Sequence, residues 1–437
     1  MPASTTVPVS GNAGRFRPTN TVPEDIARRI AAAHGTPAYV YSQQALEDRA
    51  AEALAFPNAH GLTVRFAMKA LPNATVLRLF ERKGLHFDAS SGHEVRRAMF
   101  AGIAPQKISL STQELPADLT PLLRAGVLVN ACSLAQLDAI GTALPGWNIG
   151  VRINPGRGSG GTGKTNVGGP DASFGIWHEH IAEILETARR HRLNIVRVHT
   201  HIGSGSDPAV WQEVSTLNLA LMDRFPDART LNLGGGFKVA RVPGEKDADL
   251  QAAGAPVKAA FEDFAARTGR RLHLEIEPGT FLTANCGVLL ARVQDITDTG
   301  EAGRRFLKLD TGMTELLRPG LYGAQHPAEI VPADAGRAPG SAVHDYILAG
   351  HCCESGDLIS CAPGEPERLA PVRLPAVRMG DLCLIGGAGA YCSAMSAKNY
   401  NSFPEAPEIL LDPGNTPRLI RRRQTLEQMI QNEIPLA

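Results

Sequence analysis

Eight short apolar segments alternate with helical patterns through the first two-thirds of the chain. The segments are Thr63–Met68, His86–Ser90, Ile108–Ser111, Val127–Ser133, Asn148–Pro155, Asn194–Ser204, Thr230–Gly236 and Leu272–Gly279. Short apolar runs bounded by turn residues are typical of buried parallel strands. Eight such strands, most of them followed by a helix, predict a closed (β/α)8 barrel of the TIM type.

The stretches between these segments have helical spacing. Ser91–Gly102 begins with a serine N-cap and has Glu94 three residues later, as in a capping box. Other helices are predicted at Asn73–Gly84, Pro116–Gly126, Leu134–Gly141, His178–His191, Pro208–Phe225 and Leu250–Thr268. The main alternative, an open doubly wound sheet, requires a glycine fingerprint after the first strand. Lys69-Ala70-Leu71-Pro72 follows that strand and is not one.

The pattern changes after about Val288, where strand-like runs are separated by loops rich in Gly and Pro. Strands are predicted at Val288–Ile296, Arg305–Asp310, Asp345–Gly350, Asp381–Ile385 and Pro407–Leu411, so the second domain is β-rich. Ala38–Ser42 is predicted to join this domain, and Arg418–Asn432 is predicted to be a basic helix whose run Arg421–Arg423 is a solvated face. We therefore predict a disordered leader at 1–22, an N-terminal segment at 23–45, the barrel at 46–287 and the β-rich domain at 288–437.

Composition excludes several functional classes. The 437 residues include 44 Lys+Arg and 44 Asp+Glu, and a net charge of zero favours neither a nucleic-acid nor a membrane partner. The N-terminus lacks the basic and apolar regions of a secretory signal. The seven cysteines are odd in number and form no C-x-x-C, which argues against disulfides and structural zinc and favours a reduced, cytoplasmic protein without a metal site.

Chemically reactive residues stand at the ends of the predicted barrel strands, where barrel enzymes place their active sites. Lys69 ends the first strand, and poor solvation there is expected to lower its pKa and make it a nucleophile, although a lysine that merely reaches solvent is the simpler interpretation. Asp88 ends the second strand. His199 and His201 end the sixth, and we predict that only one of them points into the pocket.

The last two strands add a phosphate site and an acid. Gly234, Gly235 and Gly236 form either a tight turn or a cradle whose backbone N–H groups hold a phosphate. Glu277 ends the eighth strand, and a buried carboxylate there needs a cationic partner such as a protonated pyridine nitrogen. A Schiff-base lysine, a phosphate cradle and an acid for a ring nitrogen together describe a site for pyridoxal 5'-phosphate.

Several motifs resemble those of the alanine-racemase-type (fold type III) pyridoxal-phosphate decarboxylases, and most of all the members that act on diaminopimelate. The matching stretches are Phe66–Ala70, Phe87–Glu94, His199–Ser204, Leu231–Gly236, Glu277–Gly279, Asp310–Met313, Arg318-Pro319, Cys353–Asp357 and Gly389–Tyr391. Each motif is short, but their joint order is specific and runs through nearly the whole chain.

The resemblance implies a role for each matched residue. Lys69 would bind the cofactor covalently, His201 would stack on its ring and Cys353 would return a proton after CO2 leaves. The residues implied in cofactor binding are Lys69, Asp88, His201, Ser204, Gly235, Gly236, Glu277, Gly279, Thr280 and Tyr391. The residues implied in substrate binding are Arg318, Tyr322, Glu354 and Tyr391. In the family, Cys353 and Glu354 reach the partner's pocket, so the resemblance implies a homodimer with shared active sites.

The sequence departs from the family pattern at Thr280. The family has Glu-Pro-Gly-Arg, whose arginine binds a substrate carboxylate, and we expect Arg157 or Lys164 to replace it. Residues 158–165 match a P-loop letter for letter, but Asn166-Val167-Gly168-Gly169-Pro170 cannot begin the helix that a P-loop requires, so we interpret them as an active-site lid. No role is assigned to Gln325-His326.

The resemblance predicts decarboxylation of meso-2,6-diaminopimelate to L-lysine and CO2, as the last step of lysine biosynthesis. Because of Thr280, another diamino acid or a carrier-bound amino acid stays open as the substrate. Racemisation would need a second acid/base on the opposite ring face. A cofactor carrier without catalytic activity would not need the long β-rich domain that holds Cys353, Glu354 and Tyr391.

Overall fold

The computed structural model describes residues 22–158, 167–201, 203, 207–337, 340 and 342–436. Its strands are β1 Ala38–Ser42, β2 Leu62–Ala67, β3 His86–Ala89, β4 Ile108–Ser111, β5 Leu128–Ala131, β6 Asn148–Asn154, β7 Ile176–Trp177, β8 Asn194–His199, β9 Thr230–Asn232, β10 His273–Ile276, β11 Gly287–Asp298, β12 Arg305–Leu309, β13 Ala328–Val331, β14 Val343–Ala349, β15 Cys361–Ala362, β16 Glu365–Leu369, β17 Val372–Pro375, β18 Leu382–Ile385, β19 Glu408–Leu411 and β20 Pro417–Arg421. Its α-helices are α1 Glu24–His34, α2 Gln43–Leu54, α3 Ala74–Arg82, α4 Gly92–Phe100, α5 Leu119–Arg124, α6 Leu134–Ala143, α7 Ile181–His191, α8 Pro208–Met222, α9 Leu250–Thr268, α10 Thr280–Thr283, α11 Arg318–Tyr322 and α12 Leu426–Ile430.

Eight parallel strands close into a barrel, as predicted. The pairing runs β2-β3-β4-β5-β6-β8-β9-β10, and β10 returns to β2 with Leu274 opposite Leu62. The predicted segments overran the sheet at its upper rim, because β8 ends at His199, β9 at Asn232 and β10 at Ile276. His201 and Glu277 therefore lie on loops just above the strands, where backbone geometry can vary.

Local capping explains why α4 begins directly behind the rim. The Ser91 hydroxyl accepts the Glu94 amide at 3.1 Å, as the capping-box pattern predicts. The Glu94 carboxylate, however, accepts the amide of Ser90 at 2.7 Å, one residue earlier than in a standard box. This bond holds the side chain of Glu94 at the end of β3, on the side of the barrel mouth.

The second sheet joins the N-terminal strand to the last third of the chain. β1 pairs antiparallel with β11 and parallel with β19, within the order β17-β14-β12-β11-β1-β19-β20. β18 also pairs with β11 and carries β13. The two faces of β1 enter different cores: Tyr39 and Tyr41 pack into the large core of the barrel, while Ala38 and Val40 pack against α1.

The prediction of a basic helix at Arg418–Asn432 was wrong. β20 extends the second sheet, with Leu419 opposite Ile409, and only α12 is helical in this segment. The interpretation of Arg421–Arg423 as a solvated face was also wrong for two of the three arginines. Arg421 pairs with Glu405 at 3.4 Å and with buried Glu408 at 3.7 Å, and Arg423 donates to the Pro37 carbonyl at 2.8 Å. These contacts come from distant parts of the chain and leave no local signal. Among the described residues, every helix is too short or too polar to cross a bilayer.

Candidate active site

Lys69 lies on a single 3-10 turn directly after β2, beside a recess of about 350 Å³ that is also lined by Glu94 and Tyr391. Burial alone would lower its pKa, as the sequence analysis expected. The nearby Tyr391, Asp88 and Glu277 outweigh burial, and the pKa of Lys69 is raised. The expectation of a lowered pKa was therefore wrong, because the amine has acidic neighbours. In this state of the protein the amine is held as the ammonium.

Glu277 is buried at the centre of a polar network. Its Oε1 accepts from Asn232 at 2.6 Å, and its Oε2 lies 3.1 Å from His199 Nε2. Burial would raise the pKa of Glu277, but His199, His201 and the Asn232 amide hold it far below the usual range. Glu277 is thus a carboxylate. Asn232 also contacts Glu275, which pairs with the buried Arg65 at 2.7 Å, so the network continues down the barrel axis.

The prediction that only one of the two histidines faces the pocket was wrong. His199 and His201 are two residues apart, and residues i and i+2 of an extended chain share a face. Both imidazoles approach Glu277. The pKa of His201 is well below its usual value because of burial and the charges of Arg152 and Lys69, so its ring is neutral. His199 and Asn232 were missed as site residues, although each ends a barrel strand.

The triple-glycine turn passes between His201 and Glu277 with no space for side chains. Gly234 has a φ of +72°, and a Cβ there would lie 2.7 Å from the Cβ of His201. A Cβ on Gly235 would lie 2.4 Å from the carbonyl oxygen of Glu277, and Gly236 has a φ of +107°. The requirement for glycine comes from this close approach. Ser204, the other predicted phosphate ligand, lies outside the described residues.

Asp88 is buried at the rim beside Lys69 and Glu277. Burial and the charge of Glu277 raise the pKa of Asp88 well above its usual value. Its Oδ1 has no hydrogen-bond partner in the described part of the chain. A buried oxygen without a partner needs a donor. Two acids in one site therefore have opposite protonation tendencies, with Glu277 ionised and Asp88 favouring the neutral form.

Tyr391 brings the second domain to the barrel rim. Its amide donates to the Ala70 carbonyl at 2.9 Å, and a Cβ built on Gly279 would lie 2.9 Å from its hydroxyl. Its φ of +55° is rare for a residue with a side chain, and strained backbone of this kind clusters at functional sites. Thr280 follows Gly279 and begins the short α10. Tyr391 is thus fixed between the Lys69 turn and the Gly279 turn.

The predicted substrate residues separate into two groups. Arg318 begins α11, and its guanidinium lies 5.7 Å from the ring of Tyr322. Cys353 and Glu354 are exposed: the Cys353 amide donates to Asn401 at 2.8 Å, and Glu354 accepts from the Tyr400 hydroxyl at 3.3 Å. In the described part of this chain, no hydrogen bond or ion pair connects Cys353 or Glu354 with the residues around Lys69.

Asp357 holds the Cys353 loop in place. Its carboxylate accepts from the amides of Met313 at 2.6 Å and Cys352 at 2.8 Å. A Cβ on Gly312 or Gly350 would lie within 2.4 Å of that carboxylate, so glycine is required at both positions. The motifs Asp310–Met313 and Cys353–Asp357 are therefore two sides of one structural unit.

Neither candidate to replace the arginine missing at Thr280 is supported. The side chain of Arg157 is 74% exposed and pairs with Glu213 at 3.4 Å, so it points to solvent. This orientation does not support a substrate contact, because a position near the rim does not fix the direction of a long side chain, and the role of Arg157 stays a prediction. Lys164 and residues 159–166 of the P-loop-like stretch lie outside the described residues.

Comparisons with known proteins agree with this geometry. Residues 45–284 match the family model "Pyridoxal-dependent decarboxylase, pyridoxal binding domain". A diaminopimelate decarboxylase of Streptomyces coelicolor is 37% identical over 410 residues, which cover 92% of this chain and 90% of that protein. A crystal structure of diaminopimelate decarboxylase matches with a TM-score of 0.85 and 35% identity over 92% of this chain and 95% of that one. The Helicobacter pylori diaminopimelate decarboxylase complexed with L-lysine matches with a TM-score of 0.78 and 27% identity over 92% and 98%.

Proposed function

The chain belongs to the pyridoxal-dependent decarboxylase family, and on that premise we propose that it converts meso-2,6-diaminopimelate to L-lysine and CO2. The observation that carries the proposal is the convergence of Lys69, Asp88, Glu277 and Tyr391 at one rim. Its similarity to diaminopimelate decarboxylases extends through both the barrel and the β-rich domain. The reaction would be the final step in forming L-lysine.

The site residues fit pyridoxal 5'-phosphate. Glu277 is a buried carboxylate suited to a protonated pyridine nitrogen, and neutral His201 offers a ring face for stacking. Asp88 Oδ1 needs a donor, which an added group can supply. The phosphate would lie against Gly235, Gly236, Gly279, Thr280 and Tyr391, with Ser204 nearby. When bound, the cofactor supplies an electron-withdrawing ring that accepts the electron pair left by CO2.

The protein's own residues would hold and move protons. The amine of Lys69 would bind the cofactor, after losing the proton that its acidic neighbours favour. Glu277 would keep the proton on the ring nitrogen, because its own affinity for protons is low. The Cys353 thiol would donate the proton that replaces CO2 at the substrate carbon. Arg318, Tyr322 and Glu354 would bind the charged groups of the substrate.

We also propose a cytoplasmic homodimer with shared sites. The exposed position of Cys353 and Glu354 supports this, since a second subunit could bring them to the recess beside Lys69. All seven cysteines are free thiols, which suits a reducing compartment. Mixing the inactive variants Lys69→Ala and Cys353→Ala tests the shared site. Random exchange of subunits should restore up to about a quarter of wild-type activity, and no recovery despite exchange would refute sharing.

The decisive experiment is product analysis with purified protein, cofactor and a panel of diamino acids. We expect CO2 and L-lysine from meso-diaminopimelate, and no product from Lys69→Ala. Lys258→Ala is the matched control, since Lys258 is an exposed lysine on α9. Release of CO2 from another diamino acid, but not from meso-diaminopimelate, would overturn the proposed substrate and favour the alternative raised by Thr280.

A further inference from the structure

Two arginines from different domains meet in the interior of the protein near the candidate active site. Arg241 lies on the loop between β9 and α9 and is only 5% exposed. Arg318 begins α11 in the second domain. Burial and the charge of Arg318 lower the pKa of Arg241 to about 9. Arg318 is half-buried, and its charge adds to the burial that disfavours the charged form of Arg241, so the arrangement calls for an anion.

Each arginine has a buried nitrogen that no hydrogen bond within the described residues uses. Arg241 donates through Nε to the Gly387 carbonyl at 3.1 Å, but one terminal nitrogen of its guanidinium is buried without a partner. Nε of Arg318 is likewise buried and unpartnered. Within the described residues, neither guanidinium forms an ion pair with a carboxylate. The Glu245 carboxylate accepts from the backbone amide of Arg241 at 2.7 Å, not from its guanidinium.

His326 makes the cluster more selective for an anion from outside. It is 8% exposed, and its Nδ1 donates to the Gly386 carbonyl at 2.9 Å. Burial and the charges of Arg241 and Arg318 hold the pKa of His326 well below its usual value, so it adds a polar surface without adding charge. Its Nε2 also has no partner in the described chain. Arg241, Arg318 and His326 thus each have a buried nitrogen without a partner in the described residues.

The position of Arg241 is built rather than accidental. The preceding carbonyl, of Ala240, accepts from Asn285 at 2.8 Å, which ties the loop to the segment after α10. Gly387 has a φ of +65°, and a Cβ there would lie 2.8 Å from Cδ of Arg241. The side chain of Arg241 therefore packs against the backbone of residue 387 in a space that only glycine leaves free. A guanidinium seated on a carbonyl by its Nε still presents its terminal nitrogens for a carboxylate.

The cluster adjoins the reacting end of the site. Burial raises the pKa of Tyr391, and the charges of Lys69 and Arg318 both oppose that rise, so Tyr391 lies within the electrostatic reach of both cations. A substrate held at Lys69 by one end can extend along Tyr391 toward the two arginines. The anion that this geometry suits is the carboxylate of a short, extended amino acid.

We propose that Arg241, together with Arg318, binds the carboxylate at the far end of the substrate. The inference rests on the proposed function and adds the residue that determines specificity for a substrate with two carboxylates. Arg241 would provide the second cation for which Arg157 and Lys164 were considered, and would thus replace the arginine that the family has where this chain has Thr280. A bidentate contact with a guanidinium is directional, and a single ammonium cannot reproduce it.

Binding of two small molecules tests this without turnover. L-lysine keeps the far carboxylate of the substrate, whereas 1,5-diaminopentane has the same chain and no carboxylate. Calorimetry on the cofactor-loaded enzyme should give about 10- to 100-fold weaker L-lysine binding in Arg241→Gln, with the diamine affected less than about threefold. Arg189→Gln, which changes an exposed arginine on α7, is the control and should leave both affinities unchanged.

The outcomes separate the two proposals. Retained binding of 1,5-diaminopentane shows that Arg241→Gln is folded. If that variant does not fold, Arg241→Lys decides, and we expect L-lysine to bind at least about threefold more weakly. Unchanged L-lysine affinity in the folded variant would overturn the role of Arg241 while leaving the proposed reaction intact. A wild-type protein that neither binds L-lysine nor releases CO2 from meso-diaminopimelate would overturn the proposed function, and this inference with it.

Discussion

Replacing Glu315 by glutamine should remove a pH-dependent loss of stability. Glu315 is 1% exposed, and its Oε2 accepts from the hydroxyls of Thr311 at 2.9 Å and Thr314 at 2.7 Å. Burial raises its pKa from 4.5 to about 7. His351, whose Nε2 lies 3.9 Å away, does not offset this, because burial lowers its pKa to about 4 and it is neutral.

The sign follows from proton linkage. Below pH 4.5 both folded and unfolded states keep the proton on Glu315. Between pH 4.5 and 7 only the folded state keeps it, so stability falls as pH rises. Above pH 7 both states are ionised, and the folded state is weaker by about 3 kcal/mol, since each tenfold change in proton affinity is worth about 1.4 kcal/mol. Glutamine is neutral throughout and avoids this loss.

Calorimetric melting from pH 4.5 to 8 measures the effect. For 437 residues the unfolding entropy is about 0.9 kcal/mol/K, so 3 kcal/mol corresponds to about 3 °C. The melting temperature of Glu315→Gln minus that of wild type should therefore increase by about 3 °C over this range. Glu367→Gln, an exposed carboxylate on β16, is the control and should show no such trend. A difference that stays constant with pH would refute the reasoning.

Four further predictions concern the barrel and its rim. His199→Phe removes the imidazole next to Glu277 and should move the acid limb of the kcat/KM profile to higher pH. His180→Phe, in the exposed 3-10 turn before α7, should not move it, and an unmoved limb in His199→Phe would contradict the role of His199. The pKa of Lys69 is raised, so only a small fraction of the amine is unprotonated between pH 7 and 9. We expect the apo-protein to take up pyridoxal 5'-phosphate about tenfold faster for each pH unit in this range, as followed by absorbance. A rate that does not change with pH would argue against a protonated amine. Gly387→Ala should destabilise the protein by about 1–2 kcal/mol and weaken L-lysine binding as Arg241→Gln does, without affecting the binding of 1,5-diaminopentane. L-lysine affinity equal to that of the wild type would count against the proposed packing of Arg241 on Gly387. Arg65→Met leaves Glu275 with Arg197, at 3.3 Å, as its remaining cationic partner, and should lower the free energy of unfolding by about 3 kcal/mol. Arg189→Met, in an exposed ion pair, should lower it by less than about 0.5 kcal/mol. Similar losses in both variants would refute a stabilising role of the buried pair.

The barrel could be predicted because its strands are buried on both faces and therefore form continuous apolar runs. Strand ends could not, since pairing decides where β8 leaves the sheet, and the sequence remains apolar beyond His199. The tail was predicted as a helix from its basic residues, but its conformation depends on Glu405 and Glu408, which pair with Arg421 in the folded protein. The conformation of a segment is hardest to predict from sequence when it depends on partners far away in the chain.

In the candidate site, too, some features could be predicted from the sequence and others depend on the folded structure. Lys69, Asp88, Glu277 and Tyr391 could be named because motifs mark them, and the structure brings them to one rim. Their roles in binding and catalysis stay predictions. The raised pKa of Lys69 could not be foreseen, since it depends on acids contributed by other strands. Arg241 could not be found either, because a single arginine in a loop has no distinguishing pattern until Arg318 and Gly387 are seen beside it.

The position of β1 has a consequence for how the protein is made. This strand leaves the ribosome early, but its two neighbours, β11 and β19, are synthesised about 250 and 370 residues later. The barrel can close and β1 can pair with β11 while translation continues, whereas the edge of β1 that pairs with β19 must wait for the end of the chain. Nascent chains released before Glu408 should therefore contain a formed barrel and an unpaired strand edge. Such an edge promotes aggregation until β19 is synthesised and pairs with it.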